Sequence, residues 1–210
     1  LASLLNQAGF RVTQATISRD IRELRLSKVN SHDGKQKYAV MSVRDQGLNE
    51  KLSNVEWGEY RLGDLFEKIS VNSLKYKTSE LPNIPTNECV LPALTAGIQN
   101  QGLNNYVPRD NATILKNVIS ISANGANTGA TFYQSKEFTV LQDAYAIKWI
   151  YTDEKLSDNS YIFLTSSIHK TIYGNYEWTN KAGWERIKND KIKLPTKNGK
   201  IDFDFMESFI

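Results

Sequence analysis

The chain has 210 residues, of which 40% are hydrophobic, and four Trp, which indicates one or two folded domains rather than a disordered polypeptide. It contains no apolar run of about 18 residues and no secretory signal, so we expect no membrane span and a cytoplasmic location. A single cysteine, Cys89, excludes an internal disulfide and a cysteine-built zinc cluster, and with only His32 and His169 besides, His/Cys metal chemistry is not expected.

The positive charge is concentrated in the first quarter of the chain. Residues 1–50 carry eight Lys or Arg against five Asp or Glu, whereas residues 51–210 carry eighteen of each. The whole net charge of +3 therefore belongs to residues 1–50, which favours a nucleic-acid contact there. Because the chain begins with Leu1 rather than Met, we expect a fragment or a processed product.

Two helices are predicted at the N-terminus. Apolar residues recur at helical spacing at Leu1, Leu4, Leu5 and Ala8, and Gly9 is a typical helix stop. Thr13 is placed to cap a second helix from Gln14 to Leu24, in which Ile17, Ile21 and Leu24 form the inward stripe.

The outward face of the second helix carries amide, hydroxyl and guanidinium groups. Such groups suit base edges and phosphates of the major groove, and the candidates are Gln14, Thr16, Ser18, Arg19 and Arg22. For the two arginines, surface salt bridges with Asp20 or Glu23 are the alternative. Strands at 26–29 and 36–41 follow, and Asp33-Gly34 between them predicts a hairpin, beside which Lys35 is a further candidate DNA contact.

The stretch LLNQAGFRVTQATISRDIRELRLSKV, followed by KYAV, resembles the N-terminal DNA-binding domain of arginine repressors. The resemblance covers residues 1–45 and implies a winged helix-turn-helix that is partial, because the helix that normally precedes this pair is missing. It implies that Ser18 and Arg19 are the main groove contacts, with Gln14 beside them. No Gly-Asp-Asp signature of the repressors' arginine-binding domain follows residue 50, so arginine sensing is not expected.

A second domain is predicted from Trp57 onward. Residues 46–56 are polar and aperiodic and predict a linker. Residues 57–210 predict one mixed α/β domain that begins with the apolar anchors Trp57, Leu62, Leu65 and Phe66. We expect strands at 118–122, 139–141 and 145–150, and helices at 159–173 and 181–188.

Two loops, 95–106 and 123–134, are rich in Asn, Gln, Gly and Tyr. Amides donate and accept hydrogen bonds in one flat group, and glycines let the backbone approach a ligand closely, which suits the reading of base edges. Tight turns with Gly and Asn at positive φ are the alternative, and composition alone favours it. The candidate DNA contacts are Gln99, Asn100, Asn104, Asn105, Tyr106, Asn124, Asn127, Thr128, Thr131, Tyr133 and Gln134. Lys191 and Lys193 lie in a basic segment and are candidate phosphate contacts, and a solvated, Lys-rich strand edge is the alternative.

Several motifs of the second domain occur in a characteristic order. They are YRLGDLF after Trp57, LTAGIQNQGL at 94–103, ISANGANTGATFYQ at 121–134, FTVLQDAYAI at 138–147 and the closing IKLPTKNGKIDFDFMESFI. This set resembles a target-recognition domain of the specificity subunit of type I restriction–modification systems. The fold class expected for the whole chain is therefore α+β, a partial winged helix-turn-helix followed by a mixed α/β target-recognition domain.

The second resemblance also implies partners. A specificity subunit binds double-stranded DNA and tells methyltransferase (modification) and nuclease (restriction) subunits which sequence to use. A full subunit carries two such domains joined by long helices, whereas this chain has one and stops about where the first long helix is expected to begin.

Catalytic motifs are not found in the sequence. There is no Asn/Asp-Pro-Pro-Tyr motif and no phosphate-binding GxxxxGK[ST], and Gly125 and Gly129 lack the third glycine of a dinucleotide loop. The alternation around Asp202 and Asp204 predicts a strand with solvated carboxylates, and Asp143 and His169 are expected to be structural. We therefore expect a non-catalytic protein with no cofactor and no metal ion.

Three functional interpretations stay open at this point. The first is a target-recognition subunit whose DNA binding survives deletion of residues 1–50. The second is a transcription regulator that depends on Ser18 and Arg19. The third is a fragment of a fused restriction–modification enzyme, which the full-length gene would settle.

Overall fold

The structure is a computed structural model that describes residues 2–10, 12–24, 26–30, 36–40, 43–177 and 179–210. The chain divides into two compact units, Leu1–Val55 and Glu56–Ile210. Across the described residues, no helix is both long and apolar enough to cross a bilayer.

Among its described residues, the first unit contains three helices and a pair of antiparallel strands. Its elements are α1 (Ala2–Gln7), α2 (Gln14–Glu23), β1 (Leu26–Asn30), β2 (Gln36–Val40) and α3 (Val43–Ser53). The strands pair antiparallel with Leu26 opposite Val40 and Asn30 opposite Gln36. The predicted Asp33-Gly34 turn lies outside the described residues.

Helix α2 begins as predicted. Thr13 precedes it, and its Oγ1 accepts a hydrogen bond from the Thr16 backbone N–H at 3.2 Å. Ile17 is buried in the inward stripe, but Leu24 is 60% exposed, so its assignment to that stripe is wrong. The reason is that α2 ends at Glu23 and position 24 already belongs to the following turn.

The segment predicted as a linker forms most of α3. Residues 46–53 are helical in the structure, so the prediction of an irregular segment there is wrong. Gln, Leu, Glu and Lys are good helix formers, but this helix has no apolar stripe for a periodicity argument to detect.

The second unit is built from four helices and ten strands along a fully described stretch apart from residue 178. In chain order these are β3 (Glu56–Arg61), α4 (Leu62–Leu65), β4 (Phe66–Lys68), β5 (Leu91–Leu94), β6 (Leu103–Val107), β7 (Val118–Ser122), β8 (Thr131–Gln134), β9 (Thr139–Val140), β10 (Ala144–Trp149), α5 (Asp158–Ile172), α6 (Trp184–Ile187), β11 (Lys191–Lys197), β12 (Lys200–Ile201) and α7 (Phe203–Phe209). The predicted α+β fold class is confirmed.

The strands of this unit form three sheets, in the orders β4-β10-β7-β8, β12-β11-β3 and β6-β5-β9. All neighbouring strands are antiparallel except β5 and β9, which run parallel. Strand β7, which reads VISIS, is buried at every position. A strand covered on both faces can hold small hydroxyl side chains only if they find partners inside the protein.

Helix α5 organises the main core. Ser157 caps it by accepting from the Ser160 backbone N–H at 3.1 Å, and Leu164, Ile168 and Ile172 are fully buried at helical spacing. The helix packs against β8 and β11. Full burial of such side chains stabilises the fold by about 1.5–3 kcal/mol each, so this helix holds two of the three sheets together.

Three predictions of local structure in the second unit are wrong. The helix predicted at 181–188 is shorter, since α6 begins at Trp184 after Gly183 and ends at Ile187. The alternating residues after Ile201 do not continue a strand, because the Asp202 side chain accepts from the Phe205 backbone N–H at 2.9 Å and caps α7. The two amide-rich segments are not loops throughout, since 95–106 ends in β6 and 123–134 ends in β8. The strands and helices predicted at 118–173 agree with β7, β9, β10 and α5 to within one residue at each end.

Candidate nucleic-acid interface

A cleft of about 710 Å³ lies where the two amide-rich segments meet. Its lining comes from the β5–β6 hairpin and from the turn before β8, together with Asn83. We call it the amide cleft, and it is lined by Asn83, Thr95, Ala96, Gly97, Ile98, Gln99, Asn100, Gly102, Leu103, Asn104, Tyr106 and Asn127. The lining residues, all within the described stretch 43–177, include no Lys, Arg, Asp or Glu.

The hairpin loop of the amide cleft has an unusual backbone. Asn100, Gln101 and Gly102 have φ values of 47°, 57° and 86°, three left-handed residues in a row. Only glycine adopts this region without cost, and Asn tolerates it better than most residues. A Cβ on Gly102 would lie 3.0 Å from the Thr95 carbonyl oxygen, and the Thr95 N–H donates to the Gly102 carbonyl at 3.0 Å. Glycine at position 102 therefore lets the loop close on itself.

Hydroxyl and amide side chains of β7 and β8 hold this loop. The Gly97 N–H donates to Ser122 Oγ at 3.2 Å, and Gln134 Nε2 donates to the Gln101 carbonyl at 3.2 Å and to Ser120 Oγ at 3.0 Å. Ser120 and Ser122 are buried and were not singled out from the sequence. The sequence contained an indication of their role, because two serines in a strand of apolar residues require hydrogen-bond partners inside the protein.

Five of the predicted DNA contacts come together in the amide cleft. They are Gln99, Asn100, Asn104, Tyr106 and Asn127. Within the described residues, the side-chain amides of Gln99, Asn100 and Asn127 have no hydrogen-bond partner, whereas Asn104 Nδ2 donates to Asn105 Oδ1 at 2.9 Å. Three amides are therefore free to bind a ligand.

Three other predicted contacts are buried and have partners inside the protein. Asn105 Nδ2 donates to the carbonyls of Thr78 and Leu81 at 3.1 and 3.0 Å. Thr128 Oγ1 accepts from the Ala182 N–H at 3.1 Å, and Thr131 Oγ1 donates to the Gly129 carbonyl at 2.9 Å. With exposures of 4%, 3% and 3%, these side chains form hydrogen bonds inside the protein and do not reach a base edge.

Asn124, Tyr133 and Gln134 are half-buried, and each is held by the protein. Asn124 Nδ2 donates to Asp143 Oδ1 at 2.8 Å. The Tyr133 hydroxyl donates to Asp158 Oδ1 at 2.6 Å, and its ring stacks on Tyr161 with centroids 4.7 Å apart. Burial and the bond to Asp158 raise the pKa of Tyr133. Gln134 supports the loop of the amide cleft, so we replace its predicted role as a base contact by a supporting one.

Lys191 and Lys193 lie in a different sheet from the amide cleft. On β11 they are exposed and alternate with the buried Ile192 and Leu194, as a strand with one solvated face requires. Lys191 Nζ lies 3.5 Å from Glu59 Oε2 on β3. Both side chains keep the access to solvent that a phosphate contact needs.

Helix α2 of the first unit exposes Gln14, Ser18 and Arg19, while Thr16 is half-buried and shares a 2.9 Å hydroxyl contact with Thr13. Lys35 and the side chain of Arg22 lie outside the described residues. The three exposed side chains have the access to solvent that a groove contact requires.

His169 and Asp202, two of the residues considered for catalysis, have structural surroundings. His169 Nδ1 accepts from the Thr131 N–H at 3.3 Å, and burial lowers the pKa of His169. Asp202 caps α7. Among the described residues, no group of three or more His, Cys, Asp or Glu side chains is arranged to hold a metal ion.

Residues 54–210 match the family of the type I restriction modification DNA specificity domain. The chain belongs to this family. The predicted resemblance of residues 57–210 is thereby confirmed, and so is the expectation of a recognition domain rather than an enzyme, because the family is one of DNA specificity.

The specificity domain is preceded by a segment of a second family. Residues 1–46 match the DNA-binding domain of the arginine repressor. The chain is similar to the arginine repressor of Lachnoclostridium phytofermentans, with 63% identity over 55 residues, which are 26% of this chain and 36% of that protein. The arginine repressor of Acetivibrio thermocellus is 45% identical over 71 residues, or 34% of this chain and 46% of that protein. The N-terminal resemblance is confirmed.

A solved structure shares the fold of the specificity domain. The S subunit of the type I restriction–modification system from M. genitalium aligns with 78% of this chain and 40% of its own, at 16% identity and a TM-score of 0.52. This chain thus spans less than half the length of that subunit and of the two repressors named above.

Proposed function

We propose that this chain binds double-stranded DNA at a preferred sequence through the amide cleft and acts as the specificity component of a type I restriction–modification system. In that role it directs separate methyltransferase and nuclease subunits to the sequence that it binds. The observation that carries the proposal is the meeting of two amide-rich segments in one uncharged cleft, in a domain of the DNA specificity family.

The chemistry of the amide cleft suits base edges. Each Asn or Gln amide offers a donor and an acceptor side by side, and a bidentate pair with adenine is a common major-groove contact. Amides without internal partners, at Gln99, Asn100 and Asn127, have hydrogen bonds left to form. Exposed lysines such as Lys191 and Lys193 supply phosphate contacts, which position the duplex but carry no sequence information.

A second candidate function rests on the first unit. Helix α2 exposes Gln14, Ser18 and Arg19, and the segment is similar to arginine repressors. Sequence preference through these three side chains would make the chain an operator-binding regulator. We expect instead that residues 1–45 and 57–210 are separate DNA-binding modules, and that the second sets the preference.

The experiment selects a preferred duplex from random DNA with the full chain and then titrates variants on that duplex and on scrambled DNA. Asn127→Ala should reduce the discrimination between the two duplexes by about 1–3 kcal/mol, because one base contact is lost. Lys193→Gln should weaken both complexes alike and lower the salt dependence of binding. Gln142→Ala is the matched control, an exposed amide outside the amide cleft.

The same titration decides between the two candidates. If Ser18→Ala and Arg19→Ala abolish discrimination while Asn127→Ala leaves it intact, the regulator function replaces the one proposed. The role as a specificity component is tested by co-purification with methyltransferase subunits and by mapping the methylated sites in DNA. Methylation that stays at the same sites when the amide cleft is altered would contradict it.

A further inference from the structure

One side chain of the amide cleft is neither polar nor packed. Ile98 lies between Gly97 and Gln99 in the β5–β6 loop and is 51% exposed. Isolated exposed aliphatic residues are common on protein surfaces, so exposure alone means little. The position of Ile98 is more informative, because among the described residues that line the cleft it is the one large apolar side chain that is more exposed than buried.

The loop that carries Ile98 has an ordered backbone. Hydrogen bonds fix the backbone on both sides of it: Thr95 to Gly102, Gly97 to Ser122 and Gln101 to Gln134. The left-handed turn at residues 100–102 follows directly. A loop whose backbone is already ordered loses little backbone entropy when it binds, so a contact that it makes contributes more fully to affinity.

The neighbours of Ile98 define what it can contact. The lining of the cleft is uncharged and consists of amides, small residues, Leu103 and one tyrosine. On duplex DNA, amides match the donors and acceptors of base edges, and the one apolar group on those edges is the 5-methyl group of thymine, which lies in the major groove. The minor groove offers no such group. An exposed isoleucine among amides therefore points to the major groove and to thymine.

We propose that Ile98 is a specificity-determining residue of the amide cleft and packs against the 5-methyl group of one thymine in the major groove. This inference rests on the proposed function of sequence-specific DNA binding. It adds to that function the identity of one base, thymine, and the groove in which the base is contacted, which the amides alone do not define.

The test uses the full chain and the duplex selected above, with each thymine replaced in turn by uracil. Uracil differs only by the missing methyl group, so base pairing and hydrogen bonding are unchanged. Burial of one methyl group predicts that the chain binds about fourfold more weakly when the critical thymine is replaced. Ile98→Ala should bind the original duplex more weakly by at least this factor and should lose nothing further on the uracil duplex.

The control is Ile162→Ala, which truncates an exposed isoleucine of α5, 40% exposed and outside the amide cleft. It should retain both the affinity and the sensitivity to uracil. The inference is overturned if, at every uracil position, Ile98→Ala loses as much affinity as the unaltered chain does. It is also overturned if the unaltered chain is insensitive to uracil at every position. In both cases the proposed function stands. If no duplex is preferred over random DNA, both fail together.

Discussion

At the scale of single residues, the backbone of Gly102 determines the shape of the amide cleft. Its φ of +86° strains any other residue, and a Cβ would lie 3.0 Å from the Thr95 carbonyl oxygen, which would then have to move by a few tenths of an ångström. Gly125, in the other segment, has a similar φ of +78° but nothing within 4 Å. Substitutions at these two glycines therefore separate the free-energy cost of a left-handed backbone from the cost of a steric contact.

Gly102→Ala should lower the free energy of unfolding by about 2–3 kcal/mol, since it adds a steric contact to left-handed strain. Gly125→Ala should lower it by about 1–2 kcal/mol, because only the strain applies. Urea denaturation of the two variants measures both values. Equal destabilisation would show that the Thr95 carbonyl moves away without cost.

The second residue-scale prediction concerns His169. Its pKa is lowered by burial from the ordinary 6.5, so the unfolded chain binds this proton more readily than the folded chain. The stabilising contribution is complete above pH 6.5 and is lost as the pH falls from there through the folded-state pKa.

His169→Gln should therefore flatten the fall in stability as the pH drops below 6.5. Denaturant titrations across this range measure the slope, and His32→Gln, which changes the other histidine, is the control. An unchanged slope in His169→Gln would assign the pH dependence to other groups.

At the scale of elements, the start of α7 is set by its N-cap residue rather than by an apolar periodicity. Asp202 accepts a hydrogen bond from the Phe205 N–H, while Asp204 in the first turn is exposed. Phe205 and Phe209 on this helix pack edge-on to Phe163 of α5. The cap therefore supports the contact between the last helix and the main core.

Asp202→Ala should destabilise the second unit by about 1 kcal/mol through loss of the cap. Asp204→Ala should cost less, because that carboxylate acts only on the helix dipole. Thermal and urea unfolding compare the two. Equal costs would mean that the hydrogen bond to Phe205 contributes nothing to stability.

At the scale of the whole molecule, two segments of DNA-binding families follow one another in a single chain. The net charge of the sequence belongs to the first, and the amide cleft to the second. Charge strengthens binding to any duplex, whereas neutral amides discriminate between sequences. The proposed function therefore assigns general affinity for DNA to the first unit and sequence preference to the second.

The isolated chain should neither methylate nor cleave DNA. The sequence holds no cofactor loop or catalytic motif, and the family is one of DNA specificity. Incubation with DNA, S-adenosylmethionine, Mg²⁺ and ATP should leave the substrate unmodified, and addition of partner methyltransferase subunits is the positive control. Turnover that persists in the chain after further purification would contradict a pure recognition role.

Local patterns of the sequence were sufficient for several elements. The Thr13 cap, the apolar strand 118–122 and the long helix after Ser157 were each predictable, because caps, apolar runs and helical spacing act over a few neighbouring residues. The ordered motifs also identified the family. Where a local signal was ambiguous, as at Asp202, an apolar alternation suggested a strand although the same carboxylate caps a helix.

Tertiary structure alone decided which amides are available. Asn105 and Asn127 are the same residue type in similar segments, yet Asn105 is buried against two carbonyls while Asn127 lines the cleft. Composition cannot separate them, because burial and hydrogen-bond partners come from residues more than twenty positions away. The sequence by itself determined the family and most elements, which depend on short-range patterns. The cleft, its supporting serines and the exposure of Ile98 arise from long-range contacts between β5–β6 and β7–β8, which only the folded chain defines.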